Sequence, residues 1–139
     1  MEVRLANSDL EIQRCHHVMS QLRTFIEAAD FVQQVSLLKK EGYQLVFCEV
    51  KSSVIAVAGF RILNSLSWQK YVYVHDLVVD SAYRSQGYGE CLLQWVINYS
   101  RQNGCQQLHL DSGVQRFAAH RFYLSQYLEI KAHHFSLIL

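Results

Sequence analysis

The chain has 139 residues, half of them hydrophobic and 18% charged, which holds one globular domain with a real core and excludes a disordered chain. A formal charge of +1 gives no basic excess for bulk binding to nucleic acid or an anionic membrane. No apolar run approaches the ~18–20 residues of a membrane span.

Met1-Glu2-Val3-Arg4-Leu5 is no signal peptide, so the cytoplasm is the expected compartment. Cys15, Cys48, Cys91 and Cys105 form no C-x-x-C pair and read as reduced thiols, most of them buried. With no repeat or linker in view, residues 1–139 are expected to be a single domain.

Glu2–Ala6 alternates and predicts a first strand. Asn7-Ser8-Asp9 then offers helix caps before Leu10, Ile12, Cys15, Val18, Met19, Leu22, Phe25 and Ile26, which recur at helical spacing. A second helical pattern places Phe31, Val32, Val35 and Leu38 on one face and stops at Glu41-Gly42. Tyr43–Val50 and Val54–Leu63 are β-rich runs joined by Lys51-Ser52-Ser53, a hairpin signal. Gly59 inside the second run marks a bulge or a close approach. A long strand from Trp68 to Val79 completes the meander, and strict alternation sets His75, Leu77 and Val79 opposite Asp76 and Val78.

The polar bend Asp80–Ser85 and the glycines Gly87 and Gly89 separate that strand from an amphipathic helix running from about Gln86 to Arg101. Such a turn leaves backbone N–H groups unpaired at a helix N-terminus, a natural cradle for phosphate oxygens. The same glycines also suit close strand–helix packing. Leu92 stands where a dinucleotide fingerprint needs a third glycine, and the turn lacks the lysine of a mononucleotide loop. Cys105–Leu110 reads as a short strand, so strand, helix and strand imply a right-handed crossover and a parallel pair. Val114–Gln126 reads as a last helix, followed by strands near Leu128–Ala132 and His133–Leu139. The seven histidines are scattered and no metal site is expected.

Two motifs carry a family resemblance. Arg84-Ser85-Gln86-Gly87-Tyr88-Gly89 resembles Arg/Gln-x-x-Gly-x-Gly/Ala, the pyrophosphate-binding signature of the GNAT N-acetyltransferase superfamily. Ala119-His120-Arg121-Phe122-Tyr123 resembles the Ala-x-x-Leu-Tyr segment of its last conserved helix. The resemblance covers most of the chain in element order. It implies an α+β fold with a mixed, mostly antiparallel sheet of six to seven strands, about four flanking helices and a β-α-β cofactor-binding core.

The resemblance implies acetyl-CoA as co-substrate, with the backbone of Leu77, Val78 and Val79 along the pantetheine arm. Arg84, Ser85, Gln86, Gly87, Tyr88, Gly89 and Glu90 would lie around the pyrophosphate. Tyr123 falls where a tyrosine donates a proton to the departing CoA thiolate. Asp76 is the candidate base, with His75, Glu49 and His120 as alternatives. Arg23, Glu27 and Phe31 fall on the helices that border the acceptor site in this superfamily. No cysteine aligns with a nucleophile role, so transfer is expected to be direct, to a primary amine of a small molecule or of a peptide.

The resemblance further implies a homodimer. A non-catalytic acetyl-CoA or CoA sensor on the same fold is the alternative reading. The chain departs from the family pattern at Ser81, Ser85, Arg116 and the segment after the last helix. Ser81 replaces a common proline and Ser85 a common glycine. Arg116 replaces an asparagine that often contacts the cofactor, and Gln126-Tyr127-Leu128 replaces x-Gly-Phe, which predicts a different turn after the last helix.

Overall fold

The β-branched stretches between Gln44 and Val79 build the frame. In the computed structural model, which describes residues 1–139, five strands form one sheet in the order β1-β2-β3-β4-β5. They are β1 (Glu2–Leu5), β2 (Gln44–Val50), β3 (Ser53–Ser65), β4 (Gln69–Val79) and β5 (Gln107–Leu110). The first four pair antiparallel, and β5 returns beside β4 after a helix, which makes the sheet mixed. The β2–β3 hairpin turns on Lys51 and Ser52, whose φ values of 49° and 65° are those of a tight primed turn matched to strand twist.

The helices are α1 (Asp9–Arg14), α2 (His16–Leu22), α3 (Ala28–Lys40), α4 (Tyr88–Gln102) and α5 (Phe117–Ser125). Ser8 and Glu11 close a reciprocal capping box at the start of α1. The helix predicted from Leu10 onward breaks at Cys15. There the Cys15 N–H reaches back only three residues, to Ile12 O at 2.9 Å, and its thiol donates to Glu11 O.

One sheet face buries Leu45, Phe47, Val57 and Val78 against Ile12, Val18, Met19, Phe31 and Val35 of α1–α3. Leu92, Leu93 and Val96 of α4, with Phe60, Val72 and Val74 of the sheet, are buried as well. Each fully buried side chain of this size contributes about 1.5–3 kcal/mol, offset by the entropy of ordering it.

The chain divides into two compact units, Met1–His109 and Leu110–Leu139. The predicted six to seven strands and about four helices are corrected to five and five. The split at Cys15 adds a helix. The alternating stretches Leu128–Ala132 and His133–Leu139 form no strand, and residues 129–139 are exposed throughout. Alternation records strand propensity, whereas a strand exists only where its backbone groups find a partner.

Three helices end in the same way. After α3, α4 and α5, the N–H two residues beyond the cap bonds back to the third-last helical carbonyl: Tyr43 to Leu38, Cys105 to Ser100 and Leu128 to Tyr123. The left-handed residue in each motif is Gly42, Gly104 and, after α5, Tyr127 with φ 64°. The turn after the last helix therefore keeps its usual geometry. A tyrosine adopts it at a steric cost of about 1–2 kcal/mol.

Opposite substitutions follow at two sites. Tyr127 is 94% exposed and loses little packing, so Tyr127→Gly should stabilise the chain by up to about 1 kcal/mol in urea unfolding. A Cβ on Gly59 would fall 1.7 Å from the Tyr43 hydroxyl, so Gly59→Ala should destabilise it by about 1–3 kcal/mol. An unchanged unfolding midpoint for either variant would contradict the corresponding contact.

Candidate functional site

β4 ends at Val79, and Asp80 caps the 3-10 turn Ser81–Tyr83 by accepting from Ala82 N at 3.0 Å. That bond, the largest cause, holds the Asp80 carboxyl below its ordinary range. Gln21 of α2 accepts from Ser81 N at 2.9 Å and fastens the turn from the side. Arg84 is extended and reaches back to Val79 O at 3.4 Å.

Ser85 and Gly87 then take left-handed conformations, φ 60° and 85°, two residues apart. Alternating hands of this kind turn successive N–H groups toward one side and make a concavity for anions. α4 starts directly behind it. Its first helical bond is Cys91 N to Gly87 O at 3.0 Å, so Tyr88, Gly89 and Glu90 keep N–H groups without partners inside the helix. No side chain caps this end. The edge-to-face rings of Tyr83 and Tyr88 flank the loop, whose Arg84–Gly87 stretch is exposed. These residues suit a diphosphate, which takes charge-assisted bonds from N–H groups and an arginine.

The edge of β4 leading into the loop is also open. β5 is four residues long, and Gln106 N meets β4 at Lys70 O, 2.7 Å away. A strand that short, starting opposite Lys70, does not reach Leu77, so Leu77, Val78 and Val79 pair only with Ala58, Val57 and Ala56 of β3.

Upstream, the register of β4 shifts. Asp76 faces Gly59 and Val74 faces Phe60, so His75 is the extra residue of a bulge. The expected separation of His75 from Asp76 is corrected here: both belong to one polar cluster. The Tyr43 hydroxyl donates to Asp76 Oδ2 at 2.7 Å, and Arg23 Nε donates to Asp76 Oδ1 at 2.8 Å. Arg23 also donates to His75 O at 2.9 Å. The guanidinium of Arg61, which only donates, meets His75 Nε2 at 3.1 Å, so the ring carries its proton on Nδ1. Burial and then the Arg61 charge lower the His75 pKa.

Asp76 is thus held on both oxygens, and the Tyr43 phenol is pushed well above its usual range by burial and then by Asp76. Glu49 stands elsewhere, ion-paired to Arg14 and, at 3.4 Å, to Arg4. Sequence reasoning missed Tyr43, Gln21 and Arg61. The internal Gly59 was the available signal, because a missing side chain marks where another one passes.

In the second unit, Arg116 occupies the N-cap position of α5 without a side-chain bond, and its N–H meets Gly113 O at 3.0 Å. His120 Nε2 donates to Gly113 O at 2.7 Å. The Tyr123 pKa is raised by burial, against the Arg116 charge, and the phenol stays protonated near neutrality. Burial also pushes the thiols of Cys15 and Cys48 up to about 12 and about 11, which keeps them protonated and poor nucleophiles. No three His, Cys, Asp or Glu side chains come together as a metal site, and no helix is long and apolar enough to cross a membrane.

The lowered His75 pKa fixes the sign of a pH effect. As pH falls through the ordinary histidine value near 6.5, the unfolded chain takes up a proton that folded His75 resists. Stability should therefore drop between about pH 7.5 and 5.5, and His75→Gln should flatten that drop in urea titrations. An equal slope in both proteins would remove His75 as its source.

Comparison with known proteins places this geometry. The model of the acetyltransferase (GNAT) family matches residues 10–126. The chain is 30% identical over 124 residues to YhdJ of Bacillus subtilis strain 168, an uncharacterized N-acetyltransferase, covering 88% of this chain and 87% of that one. A transcriptional regulator from Bacillus halodurans C-125 shares the fold with a TM-score of 0.87 at 19% identity, over 99% of both chains. So does an acetyltransferase from Trypanosoma brucei, with a TM-score of 0.81 at 19% identity over 99% of both chains. The aminoglycoside N-acetyltransferase AAC(6′)-Iy, solved with CoA, superposes with a TM-score of 0.87 at 13% identity, over 99% of this chain and 93% of that one. With its glycine loop at the end of β4 and a family match over most of its length, the chain belongs to the GNAT acetyltransferase family.

Proposed function

We propose that this chain is a cytoplasmic N-acetyltransferase that moves an acetyl group from acetyl-CoA directly to a primary amine of a small molecule. We further propose that residues 1–139 act as one domain and pair as a homodimer. The observation that carries the reading is the left-handed pair Ser85 and Gly87 ahead of the open N-terminus of α4, inside the family match. That match also runs across the boundary between the two compact units.

In this reading the open edge of Leu77, Val78 and Val79 takes the pantetheine arm as an added strand. Ser85, Gln86, Gly87, Tyr88, Gly89 and Glu90 hold the pyrophosphate through backbone N–H groups, and Arg84 and Arg116 add charge. Acetyl-CoA supplies a thioester whose acyl C–S bond is exchanged for a C–N bond to the acceptor. A strand N–H near Leu77 stabilises the oxyanion formed on the way. Tyr123 gives its proton to the departing sulfur, a transfer that a site disfavouring the thiolate makes favourable.

Asp76, the candidate base, is assigned to the acceptor side of β4, where it sets the position of Tyr43 and Arg23. With Asp76, His75 and Glu49 each bonded to an arginine, the acceptor proton leaves through water. Structural neighbours include aminoglycoside acetyltransferases. This chain has 12 acidic against 13 basic residues, which offers no surplus of carboxylate for a polycation and favours a simpler amine.

Thermal-shift titration tests the cofactor. Acetyl-CoA and CoA should stabilise the chain by about 2.7 kcal/mol at a hundredfold excess over Kd, whereas NAD and ATP should not. No shift at millimolar acetyl-CoA would end the reading. An amine panel followed by free-thiol release then tests turnover. Tyr123→Phe should lower kcat about 10²- to 10⁴-fold with the cofactor shift intact. Cofactor binding without any acetylated amine would favour the sensor alternative.

A further inference from the structure

Two arginines meet the bulge of β4, and they are engaged differently. Arg61 uses all three nitrogens within the chain: Nε on Glu41 O, Nη2 on Glu41 Oε2 and Nη1 on His75 Nε2. Arg23 uses only Nε, on Asp76 Oδ1 at 2.8 Å, and Nη2, on His75 O at 2.9 Å. A guanidinium carries five N–H donors in one plane, and here both donors on Nη1 stay without a partner. The Arg23 side chain is 40% exposed, and its ion pair is with Asp76. Glu27, four residues on, is exposed and does not pair with it.

The group is held in place before any ligand arrives. Arg23 ends α2, and its N–H bonds to Met19 O at 2.8 Å. Val18 and Met19 bury that helix in the core, and Gln21 fastens it to the turn at Ser81. The chain beyond is pinned by Ile26 N to Arg23 O at 3.2 Å and by His16 Nε2 to Ile26 O at 2.8 Å. With one edge fixed on β4, the planar fork offers its other edge in the geometry that a carboxylate accepts. The fold has already ordered this long side chain, so a ligand does not bear that cost.

Asp76 directly precedes Leu77, where the open edge of β4 begins. A strand advances about 3.3 Å per residue, so the His75 carbonyl that Arg23 holds lies about 7 Å from Leu77. A short molecule with an amine at one end and a carboxylate at the other reaches both places. We propose that the acceptor is an amino acid, its carboxylate seated on the outer edge of Arg23 and its amine directed at the thioester beside Leu77. The inference rests on the acetyl transfer proposed above and names the substrate class of that site.

Thiol release from acetyl-CoA with the common amino acids, each beside its amide, tests it on the full chain. The amide keeps the amine and the side chain and removes the carboxylate charge. Thiol release is expected with an amino acid. Arg23→Gln should lower the acid-to-amide ratio of kcat/KM about 10- to 100-fold, and Arg23→Lys by less. A fault in folding or in cofactor binding would lower both rates together and leave the ratio unchanged. Chemical-shift titration of the CoA-loaded chain with the same amino acids reads the site without turnover. An unchanged ratio in both variants, or release with amides and other amines alone, overturns the carboxylate site and leaves acetyl transfer standing. Amino acids that bind through Arg23 without thiol release overturn acetyl transfer, and the acceptor with it. No binding of amino acids and no release with any amine overturns both.

Discussion

The extra residue in β4 is the constraint on which the candidate site depends. One inserted position, His75, brings two successive polar side chains into one cluster on a sheet that otherwise buries apolar residues. The cluster is possible only because Gly59, directly across from Asp76, leaves room for the Tyr43 ring. Tyr43 then reaches Asp76, and Arg23 at the end of α2 reaches both Asp76 and the His75 carbonyl. Hydrogen bonds to charged groups contribute about 1.5–3 kcal/mol when sheltered. With Arg23 40% exposed, solvent reduces its share toward the value of a surface pair. The main effect is positional: the bond ties α2 to β4 beside the stretch that leads into the glycine loop.

Left-handed backbone is used in this chain for two different ends. At the ends of α3, α4 and α5 it satisfies the last carbonyls and stops the helix. At Ser85 and Gly87 it does the reverse, holding N–H groups away from protein partners at the start of α4. Strain at a stop is offset by the bonds it closes. Ser85, a residue with a side chain at φ 60°, carries such strain ahead of α4, and backbone strain gathers where a chain must present itself to a ligand.

What was legible in the sequence follows the range of the interactions. The hairpin at Lys51-Ser52, the stops at Gly42 and Gly104 and the glycine loop are local, and neighbouring residues specify them. The break at Cys15 hinges on a thiol–carbonyl bond within one turn, below the resolution of a periodicity. Gly59 announced a close approach without naming Tyr43, which lies in another strand run. The bond of Tyr43 to Asp76 spans the sheet, and no spacing rule connects them. Tyr127 shows the limit from the other side. The absent glycine suggested an altered turn, yet the backbone pattern persisted because its two hydrogen bonds outweigh the misfit of a tyrosine.

The distribution of protons bears on how transfer is carried out. Every carboxylate or imidazole near the bulge is already bonded to an arginine, so the cluster is electrostatically quiet and suited to holding shape. The buried thiols of Cys15 and Cys48 stay protonated and are poor nucleophiles. Tyr123 is different: burial strengthens its hold on a proton, and the Arg116 charge opposes that in part. A phenol so placed gives up its proton only to a base made stronger by the same surroundings, and a leaving thiolate in a site that disfavours its charge is such a base. In the proposed reaction, direct transfer with Tyr123 as the acid rests on that matching of phenol and thiolate.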